Sequence, residues 1–256
     1  MNTIVLAQGQ GMRWDYSRIP QDPGEALGVI EGKTLYWIGP RPEYKQLLPI
    51  GPETLLTRTL RMLAESGLAS PPHRIILAAW PELHGSVPDA GISKVILTNN
   101  GTTVLEGMMA ARGLWGYDAT AVLCGDVLFS RKAIDHIAAW VNRSAPFEFI
   151  TRSSGPSPVT GKVALEIFGF LFRPIATPTM ERHIQAITES MRAIDQPARM
   201  WHLYNGLGGN PYAYSYARVH YPAITWEPGD YTDDIDSPQE WMLHGEILVA
   251  AVEADK

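Results

Sequence analysis

The sequence predicts an α/β protein built on a doubly wound, Rossmann-like mixed sheet, and three observations carry the prediction. Short apolar runs alternate with amphipathic segments through roughly the first half of the 256 residues. The clearest of those runs end in glycine, arginine or a carboxylate, the chemistry expected where strands leave a sheet. No repeat or low-complexity tract breaks the order. Alternation of this kind implies right-handed crossovers, helices on both faces and a site at the carboxyl ends of the strands.

Ile4-Val5-Leu6-Ala7 is the first strand, running into Gln8-Gly9-Gln10-Gly11-Met12-Arg13. The stretch 14–43 is dense in Pro, Gly and charge and reads as a long loop or lid insertion, with a short strand at Leu35-Tyr36-Trp37-Ile38. Pro52 to Ser66 reads as a helix with Leu55, Leu56, Leu60 and Leu63 on one face and Gly67 at its end. Strands are expected at His73–Ala79, Lys94–Thr98 and Thr120–Cys124, with a helix from Thr102 to Arg112 between the last two. Ser130 is placed to cap a helix that turns Ile134, Ile137 and Val141 inward.

The second half is less regular, and 145–220 reads as an irregular half of the same single domain. Phe147–Thr151 and Val163–Phe172 are expected strands on either side of the loop Ser153 to Thr160, followed by a helix over Pro178–Ile194. Trp201 to Tyr216, rich in aromatics, Gly and Asn, fits no element. His220–Trp226 is a last strand, and Ser237-Pro238-Gln239-Glu240 is a capping box opening a C-terminal helix.

A net charge of −6 argues against nucleic acid or an anionic membrane as the main partner, since both reward a basic surface. No apolar run reaches spanning length. A lone cysteine, Cys124, and a first strand with no leader ahead of it predict a cytoplasmic protein.

The loop after the first strand is either a tight turn or an anion site. Glycines let backbone N–H groups approach phosphate oxygens, and Arg13 adds a bidentate cation. Asp126, at the end of a buried strand, is a helix cap or a ligand, and Ser130 already supplies the cap. Late in the chain stands the acidic cluster Asp230, Asp233, Asp234 and Asp236. Asp236 is not needed for the helix that Ser237 caps, so its carboxylate is free to face the cleft. Two carboxylates from distant positions meeting a phosphate loop describe a Mg²⁺ site, because Mg²⁺ takes one or two carboxylates together with phosphate oxygens and water. The seven histidines show no paired metal spacing, and the serine-elbow and Walker motifs are absent. Lys45, ahead of a short apolar segment and a helix, is either a surface lysine or a cation returned over the first loop.

Taken in order, L-A-x-G-x-G-x-R, K-Q-L-L-P-I-G, the helix TLLTRTLRMLAESG, G-T-T, L-C-G-D-V and D-I-D-S-P-Q-E resemble the nucleotidyltransferases that activate sugar phosphates and related alcohol phosphates. The resemblance covers nearly the whole chain and implies their GT-A-like fold. It implies Leu6, Ala7, Gln8, Gly9 and Gly11 as the nucleotide loop, with Arg13 and Lys45 on the β- and γ-phosphates. Gly101 and Thr102 match the turn that contacts base or ribose. Asp126 matches the family's metal ligand, and Asp236 its acidic C-terminal motif, with Asp234 as partner. Three features depart from the family: Gln8 replaces a small residue, the spacer from Arg13 to Lys45 is long, and Tyr44 stands where proline commonly precedes the lysine.

The reaction implied is attack by an acceptor phosphate or phosphonate oxygen on the α-phosphorus of a nucleoside triphosphate, with Mg²⁺ as cofactor and pyrophosphate released. Lys162 is the first expected acceptor contact, with Arg152 and Arg173 as further anion contacts and Trp201, Tyr204 and Tyr212 as stacking surfaces. The aromatic run is read first as a hydrophobic plug or a homodimer contact. A glycosyltransferase of this fold would carry Asp-x-Asp at the central strand, where Val127-Leu128 follows Asp126. A dinucleotide oxidoreductase needs G-x-G-x-x-G, and position 14 is Trp. A non-catalytic nucleotide-binding regulator is the remaining alternative.

Overall fold

A computed structural model describes residues 1–7, 26–30, 33–36, 44–87, 91–96, 103–152, 155–161, 163, 165–208, 225–235 and 238–254. The chain opens with β1 (Asn2–Ala7), and a two-stranded ribbon follows, β2 (Ala26–Ile30) against β3 (Lys33–Tyr36), within the expected insertion. A second ribbon, β4 (Pro49–Ile50) and β5 (Glu53–Thr54), leads into α1 (Leu55–Leu63). Then come β6 (Arg74–Ala79), α2 (Pro81–His84), β7 (Ile92–Ile96), α3 (Val104–Ala110), β8 (Thr120–Cys124), β9 (Val127–Leu128) and α4 (Arg131–Trp140). The second half supplies β10 (Phe147–Arg152), β11 (Glu166–Phe172), α5 (Thr177–Arg192), α6 (Met200–Leu207), β12 (Thr225–Trp226), β13 (Asp233–Asp234) and α7 (Pro238–Ala254).

Seven strands form one sheet in the order β12-β10-β11-β8-β1-β6-β7, with β11 antiparallel to both its neighbours and every other pairing parallel. The expected mixed, doubly wound sheet is therefore present. Period-two alternation splits β1 between its faces: Val5 and Ala7 pack with Leu56, Leu60, Ile134 and Trp140 of α1 and α4, whereas Ile4 and Leu6 pack with Leu105, Ile184 and Leu203 of α3, α5 and α6. A third cluster joins Leu48, Ile50 and Leu55 to Leu128, Ile235, Trp241 and Leu248. It ties the segment carrying Lys45 to the segments carrying Asp126 and Asp234.

Boundaries moved where local chemistry decided them. The helix expected from Pro52 begins at Leu55, because Thr54 and Thr57 form a reciprocal capping box while Pro52 sits in the β4–β5 turn. Gly67, at φ +86°, ends the π-helical turn that follows α1, a conformation that costs other residues. Ser130 caps α4 as expected, accepting from Ala133 N–H at 3.0 Å. The segment from Trp201 begins with α6, a helix the sequence reading did not place. Residues 220–224 and Ser237 lie outside the described residues, so the beginning of the last expected strand and the C-terminal capping box do as well.

Candidate functional site

The β8–β9 turn is pulled against the end of β1. Gly125 N–H donates to the Leu6 carbonyl at 2.9 Å, and a Cβ at position 125 would lie 2.9 Å from that oxygen and 3.1 Å from Ala7 Cα. Only glycine allows this approach without backbone movement. The consequence is that Asp126, the next residue, stands beside the carboxyl end of the central strand.

Asp234 arrives by a different route. β13 pairs antiparallel with β9, setting Asp234 opposite Val127 and Asp233 opposite Leu128. Successive residues of a strand face opposite sides, so the two aspartates part company. Asp233 is 1% exposed and is held by Arg152, Ser157 and Thr160. Asp234 keeps 24% of its side chain exposed and faces Asp126, whose side chain keeps 31%. Between them comes Lys45, from the 3₁₀ turn Lys45–Leu47. Its side chain is 5% exposed, and its Nζ donates to Asp126 Oδ2 at 3.4 Å and to Asp234 Oδ1. Lys45 is thus no surface lysine.

Asp126 and Asp234 line a cleft of about 210 Å³, and Lys45 reaches them from behind its lining. Leu6, Cys124 and Val127 line it from the strand ends, Val104 from the start of α3, and Leu165, Glu166 and Ile167 from the start of β11. Since β11 runs opposite to its neighbours, its beginning meets their ends. Arg199, Met200 and Trp201, at the beginning of α6, complete the lining. Arg199 N–H donates to His202 Nδ1 at 3.0 Å, so the ring, three residues into the helix, does what Glu or Gln does in a capping box. Burial, with a smaller effect of the Arg199 charge, holds the His202 pKa below its ordinary value, as the unprotonated Nδ1 requires. Trp201 stacks on His202 with ring centroids 3.7 Å apart. Desolvation, followed by the charges of Asp126 and Asp234, pushes the Cys124 thiol pKa well up, which rules against a thiolate nucleophile.

Of the residues expected from sequence, Leu6, Ala7, Lys45, Asp126 and Asp234 come together. Gln8, Gly9, Gly11, Arg13, Gly101, Thr102, Lys162, Tyr212 and Asp236 lie outside the described residues. Three expectations are corrected. Arg152 is buried in its ion pair with Asp233 and so does not await an anion. Arg173 lies over Trp140 and donates to the carbonyls of Asp118, Val141 and Arg143, beyond the opposite end of β8. Tyr204 is 5% exposed and edge-on to Phe149, a core residue rather than a stacking surface. Asp230 also has structural work, accepting from Ser130 Oγ at 2.7 Å and Thr232 N–H at 2.8 Å. The reading missed Glu166 and Arg199, for which neither motif nor spacing offered a signal.

Could the carboxylates hold a metal? Asp126 and Asp234 are hard oxygen donors already converging on one cation, the Lys45 ammonium, so the pair fits a small divalent ion completed by phosphate and water. Among the described residues no group of three or more His, Cys, Asp or Glu gathers for a metal. No described helix is long and apolar enough to cross a membrane.

No protein-family model and no curated protein matches the sequence. Solved structures do match the fold. An inositol-1-phosphate CTP transferase from T. maritima superposes with a TM-score of 0.56 at 12% identity, covering 98% of this chain and 96% of that one. A UDP-glucose pyrophosphorylase complexed with UDP-glucose gives 0.54 at 11%, covering 99% and 97%. The CTP:phosphocholine cytidylyltransferase of Streptococcus pneumoniae gives 0.52 at 12%, covering 96% and 98%. The fold of this chain is the one these nucleotidyltransferases share.

Proposed function

We propose that the protein is a nucleotidyltransferase, moving a nucleoside monophosphate from a nucleoside triphosphate to a small phosphate- or phosphonate-bearing acceptor. One observation carries the reading: in a fold shared with such enzymes, two carboxylates from distant parts of the chain, Asp126 and Asp234, line a single cleft at the strand ends and are bridged by the Lys45 ammonium. An acceptor oxygen attacks the α-phosphorus, the bond from α-phosphorus to the bridging oxygen breaks, and pyrophosphate leaves with the electron pair. Lys45 and Arg13 hold charge that builds on the leaving group, and backbone N–H groups of the loop carrying Gly9 and Gly11 cradle the phosphates. Asp126 and Asp234 would hold a divalent metal ion such as Mg²⁺, with Asp236 as a further candidate ligand, and the ion would neutralise phosphate charge. Gln8, Gly101 and Thr102 face the base or ribose.

The acceptor binds against the residues at the beginning of α6. Arg199 supplies an anion contact there, and Glu166 and Trp201 surround the rest of the molecule. Lys162 is a second anion contact. Positioning and charge neutralisation supply the catalysis, without a covalent intermediate. The test is a matrix of nucleoside triphosphates against sugar 1-phosphates, phosphocholine-like compounds and phosphonates, read by pyrophosphate release. Release should require one particular pair and fall by roughly 100-fold or more in Asp126→Asn and in Lys45→Ala. Nucleotide binding without release from any pair would point to a regulator instead, and wild-type turnover in both variants would refute the site.

A further inference from the structure

We propose that the Lys45 ammonium and a divalent cation are alternative occupants of the Asp126–Asp234 pair, so that the free protein holds the pair closed with its own side chain. Geometry is the first argument. Lys45 Nζ engages both carboxylates at once, 3.4 Å from Asp126 Oδ2 and in direct contact with Asp234 Oδ1. A magnesium-sized ion needs the same oxygens at about 2.1 Å, and the ammonium already occupies them. Two cations do not share such a space. The ammonium must leave before both carboxylates turn to a metal.

Charge balance gives the second argument. The ammonium offsets one of the two carboxylate charges and leaves the pair with a residual negative charge, enough to attract a divalent ion but short of what the bare pair would offer. Lys45 is also built into this place. Its 3₁₀ turn is pinned by Leu48 and Ile50 in the cluster that includes Leu128 and Ile235, the neighbours of the two carboxylate-bearing segments. The stem is buried, and only the head needs to swing.

What draws the head away is an anion richer than a carboxylate. On the nucleotidyltransferase reading, on which this part rests, that anion is the polyphosphate of the nucleotide. Lys45 then moves from carboxylate to phosphate as the metal takes its place, and the metal binds tightly only with the nucleotide.

The competition is tested on the free protein with Mn²⁺ as probe, by electron paramagnetic resonance of the unbound ion. Lys45→Met should bind Mn²⁺ more tightly than the wild type by about tenfold or more, the order expected when a like charge is removed from a site a few ångströms away. The gain should vanish in the double variant Lys45→Met, Asp234→Asn. Lys45→Gln provides a second readout: its melting temperature should rise more on adding Mn²⁺ than that of the wild type. Equal or weaker Mn²⁺ binding in both single variants overturns the inference. Tighter binding in a protein that transfers no nucleotide with any substrate pair overturns the function instead and leaves the competition standing.

Discussion

Adjacent aspartates at 233 and 234 should fail in opposite ways when replaced by asparagine. Asp233 is 1% exposed and neutralises Arg152, whose side chain is 8% exposed, with the Ser157 hydroxyl completing the cage. Asp233→Asn keeps the shape and leaves the guanidinium buried without its counter-charge. Breaking a buried pair from one side costs about 3 to 5 kcal/mol, and the retained amide oxygen puts this case near the low end. For a chain of this size about 3 kcal/mol lowers Tm by roughly 6 to 12 °C. Asp234→Asn disturbs a half-exposed carboxylate whose partner Lys45 keeps Asp126, so its stability cost is about 1 kcal/mol or less. Its cost falls on the reaction, roughly 100-fold or more in rate. Thermal melts followed by circular dichroism, with pyrophosphate release measured well below either melting point, separate the two. A larger loss of Tm in Asp234→Asn than in Asp233→Asn would refute the reasoning, as would an unchanged Tm in Asp233→Asn.

Gly125→Ala forces a Cβ against backbone atoms of Leu6 and Ala7, so it should cost about 1 to 3 kcal/mol in urea unfolding and displace Asp126, reducing pyrophosphate release as well. Arg199→Ala should raise the acceptor KM by roughly 10- to 100-fold with the nucleotide KM unchanged, the worth of a hydrogen bond to a charged group; an unchanged acceptor KM removes Arg199 from the site. The depressed pKa of His202 gives a pH dependence of definite sign. Its unfolded form takes up a proton below about pH 6.5 that the folded ring resists, so stability is fully present above that value and falls as pH drops toward the folded pKa. His73, His84 and His183, each depressed chiefly by burial, act in the same direction. Tm should therefore fall between about pH 7.5 and about pH 5.5, less steeply in His202→Gln.

Much of this was legible because strand ends carry their chemistry locally. The run Thr120–Cys124 followed by Gly-Asp, and the Ser130 cap that released Asp126 for other work, are both readable from neighbours in sequence. The division of labour between Asp233 and Asp234 was not, since it depends on Arg152 and Ser157, which come from β10 and the loop after it. Nor was the burial of Lys45, which follows from a cluster assembled from four separate parts of the chain. α6 was missed for another reason. Met200, Leu203, Tyr204 and Leu207 do follow helical spacing, and all pack into the core, but the helix opens on Arg199, with His202 three residues on in place of Glu or Gln, and is crowded with aromatics. Its periodicity was present without its usual start signal.

The central claim is that the cleft joins an acceptor phosphate to the α-phosphorus of a nucleotide. Phosphorus NMR of a completed reaction tests this most directly, using the substrate pair that releases pyrophosphate. The account predicts a new diphosphate or phosphonate–phosphate linkage containing the acceptor's phosphorus and the α-phosphorus, in equal amount to pyrophosphate and lost in Asp126→Asn. Free nucleoside monophosphate with an unmodified acceptor would contradict it.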